Sequence, residues 1–67
     1  MTVVVNGSEV TLAMDATVAD AIESTGARTR RGIAVALNGE VVPRSSWAGT
    51  RLAPGDKVEV LTAVAGG

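Results

Sequence analysis

Residues 54–62 are Pro-Gly-Asp-Lys-Val-Glu-Val-Leu-Thr, a tight turn that leads directly into an alternating strand. Proline followed by glycine is typical of a turn, and the side chains of a strand alternate between its two faces. One face would carry Val58, Val60 and Thr62, and the other Lys57, Glu59 and Leu61. Because the valines need burial, we expect this last strand to lie centrally in a sheet, parallel to the first strand.

Two hairpins are predicted before this strand. The pairs Asn6-Gly7 and Asn38-Gly39 suit type I′ turns, since both central residues of such a turn need positive φ. The strands predicted around them cover residues 3–5, 9–13, 33–37 and 40–42. Pro43 ends the last of these because it cannot donate to a ladder, and residues 43–52 are expected to be irregular.

A helix is predicted between the two hairpins. Thr17 can cap its start, with Asp20 three residues later in a short-armed capping box, and Gly26 suits its C-terminal end. Val18, Ala21, Ile22 and Thr25 would fall on one face of this helix at helical spacing.

This order of elements predicts an α+β fold. A helix that joins two hairpins would pack across one face of a single, mixed, five-stranded sheet. That is the ubiquitin-like β-grasp arrangement. We expect residues 1–67 to form a single β-grasp domain, with residues 63–67 as a flexible C-terminal tail that leaves the central strand.

Composition excludes several classes of function. The chain has 67 residues with no cysteine and no histidine, which argues against disulfides, the usual zinc or iron sites, and the commonest nucleophiles and bases. Carboxylates could still serve, but the seven acidic residues are scattered singly, so we expect neither a hydrolase nor a metal site. A net charge of −1 offers no basic field for nucleic acid or an anionic membrane. Residues 1–6 lack the features of a secretion signal, so the cytoplasm is the expected compartment.

The tail is the stretch most open to chemistry. Gly66-Gly67 follows Ala63, Val64 and Ala65, with no charged side chain and no ring among them. A carboxylate on such a bare tail can be reached and activated by an enzyme. The alternative is a frayed end, because termini are commonly disordered and tolerate any small residue.

Several stretches together resemble the ThiS family, the ubiquitin-like sulfur carriers of thiamine biosynthesis. They are residues 37–44, Trp47, residues 52–61 and residues 63–67. The Val-Pro-Arg segment, the tryptophan after it and the terminal Gly-Gly are the specific part, whereas the Pro-Gly-Asp turn is shared with other β-grasp domains. The arginine-rich loop with Arg28, Arg30 and Arg31 matches no family feature.

The resemblance implies a definite reaction cycle. An E1-like adenylating enzyme would use MgATP to join AMP to the carboxylate of Gly67. Sulfur delivered through a cysteine desulfurase would then replace AMP and leave a thiocarboxylate, from which thiazole synthase would draw sulfur. In this cycle the chain binds no cofactor of its own, and it is a co-substrate and not an enzyme.

The residue types of the tail fit such a cycle. Glycine has no Cβ, so the backbone at Gly66 and Gly67 can approach a partner closely. Ala63, Val64 and Ala65 are small and uncharged. We therefore expect this segment to thread the active sites of partner enzymes.

A docking surface is also expected on the sheet face that the helix leaves open. Leu61, Ala36 and Val4 are candidates for an apolar patch there, or else ordinary scattered surface residues. Arg44 could anchor a carboxylate of a partner or simply be solvated. Trp47 is expected to plug the edge of the core. The loop arginines either face solvent beside the helix C-terminus or dock an acidic partner.

Two alternative functions stay open. A molybdopterin-type or other Gly-Gly sulfur carrier would share the chemistry at Gly67 and differ in the acceptor enzyme. A TGS-like regulatory module that binds a ligand or RNA would share the fold, although the chain lacks a basic face and stacking aromatics. Removing Gly67 separates the carriers from the binding module.

Overall fold

The computed structural model describes residues 1–26 and 32–62. Its elements are β1 (Thr2–Val5), β2 (Ser8–Thr11), α1 (Val18–Ser24), β3 (Ile33–Leu37), β4 (Glu40–Val41), a 3-10 helix (Arg44–Gly49) and β5 (Lys57–Thr62). The strands form one sheet in the order β2-β1-β5-β3-β4. Strand β5 is central, parallel to β1 and antiparallel to β3, which confirms the predicted mixed sheet.

Both Asn-Gly pairs form the predicted turns. Asn6 and Gly7 have φ values of 50° and 83°, and Asn38 and Gly39 have values of 50° and 87°. Positive φ at both central positions is what a type I′ turn requires. Strands β2 and β4 are shorter than predicted, ending at Thr11 and Val41.

Helix α1 begins and ends where its capping residues predict. The carboxylate of Asp20 accepts a hydrogen bond from the backbone N–H of Thr17 at 2.8 Å. At the other end, Gly26 has a φ of 77° and its N–H donates to the carbonyl of Glu23. Of the four residues predicted on one face, Val18, Ala21 and Ile22 are buried. The helix ends at Ser24, and Thr25 is its exposed C-cap.

The core lies between α1 and one face of the sheet. Its buried residues are Val3, Val5, Val18, Ala21, Ile22, Val35, Trp47, Leu52 and Val58. Trp47 is 4% exposed, and its indole N–H donates to the carbonyl of Val42 at 2.9 Å. The segment around it was expected to be irregular, but residues Arg44–Gly49 form the 3-10 helix, which carries the indole into the core and contacts α1.

Candidate functional site

The face of the sheet opposite α1 is open. Strand register places Leu61 beside Ala34, and Ala36 between Glu59 and Val41, all on this face. Val41 is 77% exposed and Leu61 is 63% exposed, so the two large side chains project into solvent. We refer to Ala34, Ala36, Val41 and Leu61 as the open-face patch.

The predicted docking residues do not all belong to this patch. Leu61 and Ala36 lie on neighbouring strands within it. Val4 shares the open face but pairs with Lys57, on the far side of β5. Ala34 and Val41 were not predicted from the sequence. Because side chains alternate between the two faces of a strand, Ala34 could have been assigned to the face opposite that of Ile33 and Val35.

Arg44 lies on another element. It begins the 3-10 helix, which contacts α1 and therefore belongs to the covered side of the sheet. Its guanidinium carbon is 6.0 Å from the centroid of the Trp47 ring, at the outer limit of a cation–π contact. Any partner contact made by Arg44 would thus be separate from the open-face patch.

The beginning of β5 is fastened by the second Asn-Gly turn. The side-chain oxygen of Asn38 accepts a hydrogen bond from the N–H of Lys57 at 2.9 Å. The amide nitrogen of Asn38 donates to the carboxylate of Asp56 at 3.1 Å, and that carboxylate also accepts from the N–H of Ala53. The Pro-Gly-Asp turn is therefore tied to the strand it starts.

The far part of β5 is fastened by the first Asn-Gly turn. The side-chain oxygen of Asn6 accepts a hydrogen bond from the N–H of Val60 at 2.8 Å. Its amide nitrogen donates to the carbonyl of the same residue at 3.2 Å. Strand β5 then ends at Thr62, directly before residues 63–67.

The tail predictions lie outside the described residues. This holds for Ala63, Val64, Ala65, Gly66 and Gly67, and for the loop residues Arg28, Arg30 and Arg31. These predictions stay predictions.

Within residues 1–26 and 32–62, no group of three or more His, Cys, Asp or Glu side chains is placed to hold a metal ion. No polar or charged residue in those ranges is buried, and none of their helices is long and apolar enough to cross a membrane. The candidate site is therefore the open-face patch together with the end of β5.

Comparison with known families identifies the family to which the chain belongs. The sequence model of the ThiS family matches residues 3–67. The chain belongs to the ThiS family. That match includes the terminal Gly66-Gly67, and it agrees with the mixed sheet and single α-helix of the described residues.

Two solved structures have the same fold. The crystal structure of a thiamine biosynthesis protein (ThiS) from Geobacter metallireducens is 32% identical, with a TM-score of 0.80 and full coverage of both chains. A solution NMR structure of a thiamine biosynthesis protein from the same organism is also 32% identical. It has a TM-score of 0.79, covering all of this chain and 88% of the other.

A curated relative is much longer than this chain. A thiazole synthase of Paramagnetospirillum magneticum is 36% identical over 67 residues, which are 100% of this chain and 20% of that protein. The chain thus spans about a fifth of the length of this relative. Together, membership of the ThiS family and these likenesses support a role as a sulfur carrier in thiamine biosynthesis.

Proposed function

We propose that the carboxylate of Gly67 is adenylated by an E1-like enzyme and converted to a thiocarboxylate that donates sulfur for thiazole formation. The observation that carries this proposal is the match to the ThiS family over residues 3–67, which reaches the terminal glycines. The chain acts as a co-substrate, and MgATP is used by the adenylating partner.

Activation is needed because a carboxylate is a poor electrophile. Its negative charge repels nucleophiles, and oxide is a very poor leaving group. Adenylation forms a mixed anhydride at Gly67 and releases pyrophosphate, after which a sulfur nucleophile attacks the carbonyl carbon and AMP departs. The chain contains no cysteine, so this sulfur must be delivered to it. The family resemblance implies a cysteine desulfurase as the source.

The geometry of β5 suits the presentation of this carboxylate. Residues 63–67 follow directly after the central strand, which lies between β1 and β3. Fully extended, five residues reach at most about 18 Å beyond Thr62, enough to enter a partner's channel. Fixing them costs about 5–10 kcal/mol at 1–2 kcal/mol per residue, which keeps the affinity low enough for release from each partner.

We propose further that the open-face patch docks the partners. Leu61 is the second-last residue of β5, so an enzyme that holds the tail also meets its side chain. Exposed apolar residues bordered by charges such as Lys57 and Glu59 are typical of a binding surface. The segment of a thiazole synthase that is 36% identical to this whole chain supports thiazole synthase as one of these partners.

The decisive experiment follows sulfur onto the tail. The chain is incubated with MgATP, an E1-like adenylating enzyme, a cysteine desulfurase and cysteine, alkylated, and cut with trypsin. Exchange of oxygen for sulfur changes mass almost as much as oxidation of a methionine. Cleavage after Lys57 removes that ambiguity, because Met1 and Met14 are absent from the peptide 58–67.

We expect the alkylated thiocarboxylate on peptide 58–67 only when MgATP is present. A chain without Gly67 should give no product, and Gly66→Pro, which stiffens the tail, should react more slowly. Product formation that survives loss of Gly67 would contradict the proposal. A thiocarboxylate that thiazole synthase cannot use would instead indicate another Gly-Gly carrier.

The docking surface is tested with Leu61→Asp. Its matched control is Met14→Asp, since Met14 is a large apolar residue that is 73% exposed and lies outside the strands. We expect KM for the carrier in adenylation to rise about tenfold for Leu61→Asp, the equivalent of one good interface contact. Equal KM values for the two variants would contradict docking through this patch.

A further inference from the structure

Strand β1 stops pairing with β5 before β5 ends. The register joins Val4 to Lys57 and Val5 to Val58. The N–H of Asn6 donates one more ladder bond, to the carbonyl of Val58 at 2.9 Å, and the chain then turns away at Gly7. Without a substitute, the β1 side of β5 would have no partner after Val58.

The side chain of Asn6 is that substitute. A residue paired in a parallel ladder presents one acceptor and one donor to the facing strand, and a primary amide supplies both. The carboxamide of Asn6 accepts from the N–H of Val60 and donates to its carbonyl. It therefore extends the ladder along β5 by two residues, in the place where a further residue of β1 would lie.

The contact between Asn6 and Val60 lies close to the point where residues 63–67 begin. On its other side β5 stays paired to the end, with Val60 facing Val35 and Thr62 facing Ile33. On the β1 side, the bonds from Asn6 to Val60 lie two residues before Thr62 and are the last that the described residues make there. The carboxamide thus holds the final part of β5 within the plane of the sheet.

We infer that Asn6 is a positioning residue for the reacting carboxylate. By holding Val60, it keeps the end of β5, from which the chain continues into residues 63–67, in one orientation and so raises the fraction of chains that can enter a partner. The inference rests on the proposed function, because it concerns delivery of Gly67 to the adenylating enzyme.

The positioning role can be separated from the role in the turn. Glycine adopts positive φ without strain, and Gly-Gly is itself a good type I′ pair. Asn6→Gly therefore keeps the hairpin and removes only the carboxamide. Asn38→Gly is the matched control, because Asn38 has the same φ of 50° and also bonds to β5, but at Lys57.

Hydrogen exchange followed by NMR tests the contact itself. Loss of one hydrogen bond worth about 1 kcal/mol corresponds to about a fivefold change in an opening equilibrium. We expect Asn6→Gly to lower the protection of the Val60 amide at least about fivefold relative to Asn38→Gly. The control should lower protection at Lys57 instead. Unchanged protection of Val60 in Asn6→Gly would overturn the inference.

Adenylation kinetics test the consequence. When only a fraction of the carrier is competent, its apparent affinity falls by that fraction. We therefore expect KM for the carrier to rise about threefold to tenfold in Asn6→Gly, with kcat unchanged, and to stay near wild type in Asn38→Gly. Asn6→Asp keeps the acceptor for the Val60 N–H but places a carboxylate oxygen against the Val60 carbonyl, so its KM should also rise.

The outcomes distinguish this inference from the function on which it rests. A wild-type chain that is not adenylated would contradict the proposed function and the positioning role with it. A wild-type chain that is adenylated, together with equal KM values for Asn6→Gly and Asn38→Gly, would overturn the positioning role alone. Should Asn6→Gly fail to fold, Asn6→Asp is compared with wild type, and an equal KM would overturn the positioning role.

Discussion

The two faces of the sheet differ sharply although the same strands form both. In β5, Val58 is 1% exposed in the core, whereas Leu61, three residues later, is 63% exposed on the open face. The side chains on the covered face pack against Ile22 and Trp47. The alternation of a strand thus lets a very small domain separate the residues that stabilise it from residues available to a partner.

The largest effect on stability should come from Trp47→Ala. Removing a buried tryptophan costs about 3–5 kcal/mol, and it leaves the carbonyl of Val42 without the indole donor. Because small domains have total stabilities at the low end of about 5–15 kcal/mol, we expect much of this variant to be unfolded at 25 °C. Urea titration followed by far-ultraviolet circular dichroism measures this.

Trp47→Phe is the control for that variant, since it keeps an apolar ring and loses only the N–H donor. It should be destabilised less than Trp47→Ala. A Trp47→Ala domain with the urea midpoint of wild type would show that the indole is not part of the core.

A smaller effect on stability is expected for Ile22→Val. Ile22 is fully buried where α1 packs on the sheet. Loss of one methylene group there should reduce the free energy of unfolding by about 0.5–1.5 kcal/mol. Thermal denaturation would reveal this as a lower Tm, and a Tm equal to that of wild type would contradict the assignment of Ile22 to the core.

The smallest effect should follow changes on the open face. We expect Leu61→Ser and Val41→Ser each to alter the free energy of unfolding by less than about 0.5 kcal/mol, as is usual for exposed sites. The same urea titration checks this. A loss comparable to that of Ile22→Val would mean that the open-face patch contributes to folding, and the contrast between the faces would fail.

Local patterns predicted most of the fold. The two Asn-Gly turns, the cap at Thr17 and the alternation in β5 are each determined by residues close together in sequence, and all are present in the structure. The 3-10 helix was not predicted, because its formation depends on where the indole of Trp47 can be buried. Sequence alone also could not show that Arg44 belongs to the covered side, since that follows from packing against α1.

The candidate site was predictable only in part. The alternation of side chains along β-strands predicted that Leu61 and Ala36 lie on the same face of the sheet. The pairing partners that complete the patch, Ala34 and Val41, depend on strand register. The hydrogen bonds between Asn6 and Val60 join residues 54 apart in sequence. They could not be predicted, because the type I′ turn alone already explains an asparagine before Gly7.

The central place of the last strand has a consequence for synthesis of the protein. Strands β1 and β3 are held together through β5, so a nascent chain that has not yet emerged from the ribosome beyond residue 57 lacks the strand that joins them into one sheet. Long-range closure of this kind comes late and is slow compared with local contacts. A prematurely terminated product would therefore stay unfolded and open to proteases.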